Sequence, residues 1–178
     1  MKLVLIGLRG TGKTTVGQLL AARLEWPFSD TDALIETRAG LTIREIFARK
    51  GEDAFRILES QIVQERAQAD RVVLATGGGA VLDPANVSAL KQNGFVVHLS
   101  ADPEELWRRI SQDRATAAQR PVLLPGAVSG LDELKKLLLA RAALYARARD
   151  AEVSVEDRSP DEIVDAILIL MRAHGVGV

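Results

Sequence analysis

Leu3-Val4-Leu5-Ile6 runs directly into Gly7-Leu8-Arg9-Gly10-Thr11-Gly12-Lys13-Thr14-Thr15, and the reading of the whole chain turns on that junction. An apolar run followed by G-x-x-x-x-G-K-[ST] is the pattern of a loop that wraps a nucleotide phosphate between a strand and a helix. Glycines let the backbone turn its N–H groups inward, and a helix starting near Lys13 aims its positive end at the phosphates. Gly10, Thr11, Gly12, Lys13, Thr14 and Thr15 are therefore the candidate nucleotide contacts. Lys13 is placed to reach the β- and γ-phosphates and the Thr14 hydroxyl to ligate Mg²⁺. A glycine-rich turn that only joins strand to helix is the competing reading, and the complete pattern in its proper setting outweighs it. The loop says that a phosphate is bound, not what is done with it.

The 178 residues are long enough to bury a substantial core, and 1–178 reads as one domain. A net charge of −1 gives no general pull toward nucleic acid or an anionic membrane. The absence of cysteine excludes disulfides and thiolate metal sites and fits a reducing cytoplasm. Strand residues follow Met1 almost at once, so no signal peptide is expected. The apolar runs fall far short of a membrane span. The expectation is a cytoplasmic domain with no nucleic-acid or membrane partner.

Short apolar runs alternate with amphipathic stretches. Strands are expected at 2–6, 27–30, 71–75, 95–99 and 152–155. Helices are expected at 13–24, 33–38, 43–49, 52–69, 84–93, 103–112, 130–148 and 160–174. Start signals support several of them: Thr42 with Glu45, Ser159 with Glu162, Asp83-Pro84 and Asp102-Pro103. Such alternation implies an α/β fold with a parallel sheet covered on both faces, whose ligands gather at the carboxyl ends of the strands. There is no internal repeat and no linker. The stretch 111–130 mixes charge, small residues and two prolines, and reads as a mobile lid over the site.

Motors, switches, transporters and kinases all use a phosphate loop, and the placing of acids separates them. In many of them a carboxylate after an apolar strand helps to hold Mg²⁺. Here Val72-Val73-Leu74-Ala75 ends in Thr76-Gly77-Gly78-Gly79, with no acid. The acids sit instead in Phe28-Ser29-Asp30-Thr31-Asp32. Alternate positions of an extended segment share a face, so both carboxylates are expected to face the loop. Asp30 then suits the water shell of Mg²⁺, while Asp32 suits either accepting a hydroxyl proton or hydrogen-bonding a substrate. As plain helix N-terminal charges, one acid is readily explained and the pair poorly.

Arginines supply the second constellation. Arg56 lies beside Phe55 and one turn before Glu59, and Arg141 lies mid-helix in Arg141-Ala142-Ala143-Leu144-Tyr145. A solvated helix charge is the ordinary fate of either. Arg120 precedes Pro121 within the expected lid, where a guanidinium can swing onto a transferring phosphate. The triglycine lets a substrate approach bare backbone N–H groups. His98, Trp26 and Trp107 read as packing residues, and His174 and Arg108-Arg109 as solvated ones.

Gly7-x-x-Gly10-x-Gly12-Lys13-Thr14-Thr15, Asp30-x-Asp32, Phe55-Arg56-x-x-Glu59, Thr76-Gly77-Gly78-Gly79, Arg120-Pro121 and Arg141-x-x-x-Tyr145 together resemble the shikimate kinase family. The likeness runs in order along almost the whole chain. It implies a three-layer α/β/α P-loop kinase fold with a five-stranded parallel sheet in order 2-3-1-4-5, of the nucleoside-monophosphate-kinase type. It implies a substrate-binding region over about 31–62, a mobile lid over about 112–125, and ATP-dependent phosphorylation of the shikimate 3-hydroxyl with Mg²⁺. By the resemblance Thr14 ligates the metal and Asp30 acts through its waters. Asp32 contacts ring hydroxyls and is the base. Arg56 and Arg141 clamp the carboxylate, Gly78 and Gly79 contact the substrate, and Lys13 and Arg120 meet the ATP phosphates. Arg114 and Arg158 flank adenine. Val122 stands where leucine is the commoner family residue, a volume change of little consequence, while Gln119 and the alanine-rich 115–118 leave the lid geometry open. Two other readings stand beside this one: another small-metabolite kinase of the same fold, such as a gluconate kinase, and a nucleotide-dependent switch that transfers nothing. A monomer is expected.

Overall fold

Leu3, Val4, Leu5 and Ile6 are all buried because they supply both faces of a central strand. Successive side chains on a strand point to opposite sides, so a strand buried on both faces needs an unbroken apolar run. The structure is a computed structural model and describes residues 1–112 and 129–176. In chain order it forms β1 (Lys2–Ile6), α1 (Lys13–Leu24), β2 (Phe28–Asp30), α2 (Thr31–Ala39) and α3 (Ile43–Arg66). Next come β3 (Val73–Ala75), a 3₁₀ turn (Ala80–Leu82), α4 (Pro84–Lys91), β4 (Gly94–Ser100) and α5 (Pro103–Gln112). The last three are α6 (Gly130–Ala148), β5 (Ala151–Ser154) and α7 (Pro160–Ala173). The strands are parallel, in the order β2-β3-β1-β4-β5, as the resemblance implied.

The two faces of β1 divide the core. Leu3 and Leu5 pack with Val16 and Leu20 of α1 and with Ile163, Ile167 and Met171 of α7. Val4 and Ile6 pack with Leu106 of α5 and with Leu134, Leu137 and Tyr145 of α6. Full burial of one such aliphatic side chain is worth about 1.5–3 kcal/mol. A smaller cluster, Ile35, Ile46, Phe55 and Ile62, joins α2 to α3 beside the sheet. It fixes the wall on which Arg56 is mounted.

Local signals set most boundaries. Thr42 with Glu45 and Ser159 with Glu162 form reciprocal caps, and Asp83 caps α4 ahead of Pro84. The helices expected at 43–49 and 52–69 form a single run broken at Gly51, whose φ of 83° and ψ of 173° lie outside the helical region. One expectation fails at β2. The strand stops at Asp30, whose side chain caps α2 by accepting from the N–H groups of Asp32 (3.0 Å) and Ala33 (3.5 Å). Asp32 therefore belongs to the first turn of a helix, and the alternating-strand argument for its direction does not hold. The cap residue stops the strand because its side chain replaces backbone partners that only a helix start leaves open. The lid expected over 112–125, with Arg114 and Arg120, lies outside the described residues apart from Gln112.

Candidate active site

The carboxyl ends of β1, β2 and β3 meet at one end of the sheet, where the chain must leave three neighbouring strands at once. Gly7 makes the first exit possible. A side chain there would put its first carbon 2.4 Å from the Leu99 carbonyl oxygen, and its φ is 144°. Beyond it the loop winds into α1 through Gly12, with φ at 81°. Lys13 folds back over the loop, its Nζ donating to the carbonyls of Gly7 (2.9 Å) and Leu8 (2.8 Å). Thr11 is buried and its hydroxyl donates to the Leu8 carbonyl at 2.8 Å. The Thr14 hydroxyl donates to Asp30 Oδ2 at 2.7 Å. Asp30 thus does two things at once: one oxygen caps α2 and the other meets the loop.

A cleft opens over this loop, lined by Gly10, Gly12, Lys13, Thr14, Thr15 and Asp30 among others. Arg109 of α5 also lines it, donating to the Val155 carbonyl at 2.7 Å and to Glu105 at 2.6 Å. From its place in Arg108-Arg109, Arg109 reads as a solvated helix residue. Only the turn of α5 toward the end of β5 makes it a wall of the cleft. Arg158 is exposed and lines neither this cleft nor the next.

A second, smaller cleft lies between α3, α6 and the glycine turn after β3. Arg56 reaches it from α3, its Nη1 donating to Glu59 at 2.6 Å and its Nη2 to Glu52 at 2.9 Å. Arg141 reaches it from α6, its Nη1 donating to the Gly78 carbonyl at 3.0 Å. The Arg56 guanidinium lies against Gly79 and Arg141 bonds Gly78, so arginines from α3 and α6 meet the same short stretch of backbone. Arg141 is itself buried, so neither guanidinium has the solvated fate usual for its residue type.

Glu59 is the residue whose importance the sequence understated. It is 2% exposed, and burial pushes its carboxyl above the usual range, against the opposing pull of Arg56 and Arg141. One of its oxygens, Oε1, is buried without a hydrogen-bond partner among the described residues. For Arg56, burial disfavours the charge, but Glu59 and Glu52 outweigh it and raise its pKa. The i, i+3 spacing of Arg56 and Glu59 on one helix was the available signal; their joint burial was not readable from it.

Where the two clefts join, Arg9, Asp32, Ile43 and Gly78 line both. Asp32 approaches Gly77 so closely that a first side-chain carbon there would lie 2.5 Å from its Oδ1. A carboxylate thus stands between a phosphate loop and a pocket with two buried or half-buried guanidinium groups. His98 is buried and stacks on Tyr145, with ring centroids 4.5 Å apart. Trp26 packs against the core and Trp107 against Gly130. His174 is exposed and its Nδ1 lies 2.8 Å from the Leu170 carbonyl.

A protein-family model described as "Shikimate kinase" matches residues 9–172. A shikimate kinase of Symbiobacterium thermophilum is 43% identical over 175 residues, 98% of each chain. The solved shikimate kinase of Acinetobacter baumannii in complex with shikimate superposes with a TM-score of 0.90 at 34% identity, covering 99% of this chain and 95% of that one. A gluconokinase of Sinorhizobium meliloti reaches a TM-score of 0.58 at 17% identity, over 97% of this chain and 91% of its own, which is a likeness of fold alone. The order of the strands, the phosphate loop with its paired Thr14 and Asp30, and the acidic and basic groups facing it thus accompany a full-length match, and the chain belongs to the shikimate kinase family.

Proposed function

We propose that this protein transfers the γ-phosphoryl group of ATP to the 3-hydroxyl of shikimate, giving shikimate 3-phosphate and ADP. The observation that carries the reading is that Asp32 lines both clefts, the one over the phosphate loop and the one walled by Arg56 and Arg141. An acceptor hydroxyl beside Asp32 has a carboxylate to take its proton and a phosphate loop on its far side. Its oxygen forms a bond to the γ-phosphorus as the bond from that phosphorus to the bridging oxygen of ADP breaks. Positioning and charge neutralisation supply most of the acceleration in such transfers.

Lys13 and the loop N–H groups bind the phosphates. Arg56 and Arg141 grip the acceptor carboxylate, a task that suits planar guanidinium groups better than lysine, and the Gly78 and Gly79 backbone packs against the same acid. Glu59 holds Arg56 in place. The oxygen pair of Thr14 and Asp30, 2.7 Å apart, fits a hard divalent cation, Thr14 directly and Asp30 through water. Mg²⁺ bound there would neutralise charge developing on the phosphate oxygens. Arg120 is assigned to the phosphates, and Arg114 and Arg158 to the flanks of adenine, on the resemblance alone. The chain acts as one domain, with its acceptor region over about 31–62. No helix among the described residues is long and apolar enough to cross a membrane; a cytoplasmic monomer is the reading we adopt.

The test is ADP release in a coupled assay with shikimate, quinate, gluconate and nucleoside monophosphates as acceptors. Shikimate-dependent release well above the other acceptors is expected. Release without an acceptor, or a clear preference for gluconate, would overturn the assignment.

A further inference from the structure

The motif Arg141-x-x-x-Tyr145 contains a residue to which the reaction assigns no task. Tyr145 is 1% exposed and lies one helical turn beyond Arg141 on α6. Its hydroxyl donates to the Gly78 carbonyl at 2.7 Å, the same oxygen that accepts from Arg141 Nη1 at 3.0 Å. A carbonyl oxygen offers two lone pairs, and these two donors occupy them. The Gly78 peptide therefore cannot swing without breaking both bonds. One corner of the Arg141 guanidinium is committed to it, which leaves the remaining N–H groups for the cleft that Arg141 lines.

The ring is held independently of the hydroxyl. It stacks on His98 with an interplanar angle of 12°, and His98 lies on β4 directly opposite Ile6, the last residue of β1 before the phosphate loop. Sheet and ring fix where the hydroxyl sits, and the hydroxyl fixes the glycine turn. Burial pushes the phenol up to about 12, with Glu59 adding to the rise and Arg141 opposing it, so the group remains a donor throughout the working pH range.

We propose that Tyr145 is a positioning residue for the acceptor: by donating to the Gly78 carbonyl it holds Arg141 and the glycine turn in the orientation that receives the acceptor's carboxylate. The proposal rests on the reaction assigned above.

Tyr145→Phe isolates the hydroxyl, because a phenylalanine keeps the ring on His98. Steady-state kinetics should show KM for shikimate raised about 3- to 10-fold, the loss of one hydrogen bond, with KM for ATP unchanged and kcat changed little. In an Arg141→Lys background the same substitution should add almost nothing, since the group it orients is gone. An unchanged shikimate KM, an equal rise in both KM values, or full additivity with Arg141→Lys would overturn the proposal. Wild-type protein that fails to phosphorylate shikimate would overturn the reaction first, and the proposal with it.

A second measurement needs no variant. Tyr145 is the single tyrosine of the chain, so protein grown with 3-fluorotyrosine carries one ¹⁹F resonance from this position. That resonance should move when shikimate saturates the enzyme. A resonance indifferent to shikimate would also overturn the proposal.

Discussion

Gly79→Ala tests the acceptor site through one methyl group. Gly79 has φ −97° and ψ −5°, a conformation open to alanine, so the backbone itself resists nothing. The new carbon, however, would lie 2.1 Å from Arg56 Nη1, 2.7 Å from Cζ and 2.9 Å from Nη2. The guanidinium must retreat by about 1.5 Å to reach ordinary contact distance. It is not free to do so, because Glu59 holds Nη1 at 2.6 Å and Glu52 holds Nη2 at 2.9 Å. Glu52 is exposed and can follow; Glu59 is buried and cannot. The loss is thus the Arg56–Glu59 bond, a charge-assisted contact worth about 1.5–3 kcal/mol. Part of it appears as stability: a loss of about 1–2 kcal/mol lowers Tm by roughly 2–8 °C at this chain length. The displaced Arg56 should also raise KM for shikimate about 10- to 100-fold, each factor of ten being about 1.4 kcal/mol. KM for ATP should stay put, since Arg56 lines the cleft proposed for the acceptor and not the cleft over the phosphate loop. Thermal unfolding and initial rates over a grid of both substrates give these quantities. A folded variant with an unchanged shikimate KM would refute the view that the Arg56 position matters to acceptor binding.

Three further outcomes are expected. Asp32→Asn should leave ADP affinity intact in a binding titration and lower kcat by about 10²- to 10⁴-fold, the usual range for loss of a general base; normal turnover would remove Asp32 from that role. Gly17→Ala should destabilise the protein by about 1 kcal/mol in urea unfolding. Its methyl would lie 2.5 Å from the Phe28 ring, and overpacking outweighs the gain of about 1 kcal/mol in helix propensity; a higher urea midpoint would refute this. His98 is lowered to about 4, chiefly by burial, with the charges of Arg149 and Lys13 adding to the fall and Glu152 opposing it. Between pH 6.5 and 4 the unfolded chain binds a proton that the folded one refuses, so stability falls as pH falls through that window. From pH 7 to 5 the loss is at most about 2 kcal/mol, and His98→Phe, which preserves the stacking, should flatten the pH dependence relative to wild type.

The sequence determined the phosphate loop, the alternation of strands and helices, and most boundaries, because each follows from neighbours within a few residues. Gly7 to Thr15 carries its own turn chemistry, Thr42 with Glu45 carries its own cap, and Leu3 to Ile6 state their two-sided burial without a blank position. The family likeness extended this to the strand order, and it names the residues proposed to hold the acceptor. Tertiary structure decided what these residues do to one another. Asp32 proved to be a helix residue because Asp30 ends the strand by capping. Arg109 became a wall of the larger cleft only through the course of α5. Glu59 and Tyr145 gained their places from burial against α6, the sheet and the glycine turn. Spacing within one helix fixes which side chains share a face. Whether that face meets water, a cleft or another guanidinium depends on segments far away along the chain. Those distances fold to a few ångströms only in the assembled molecule.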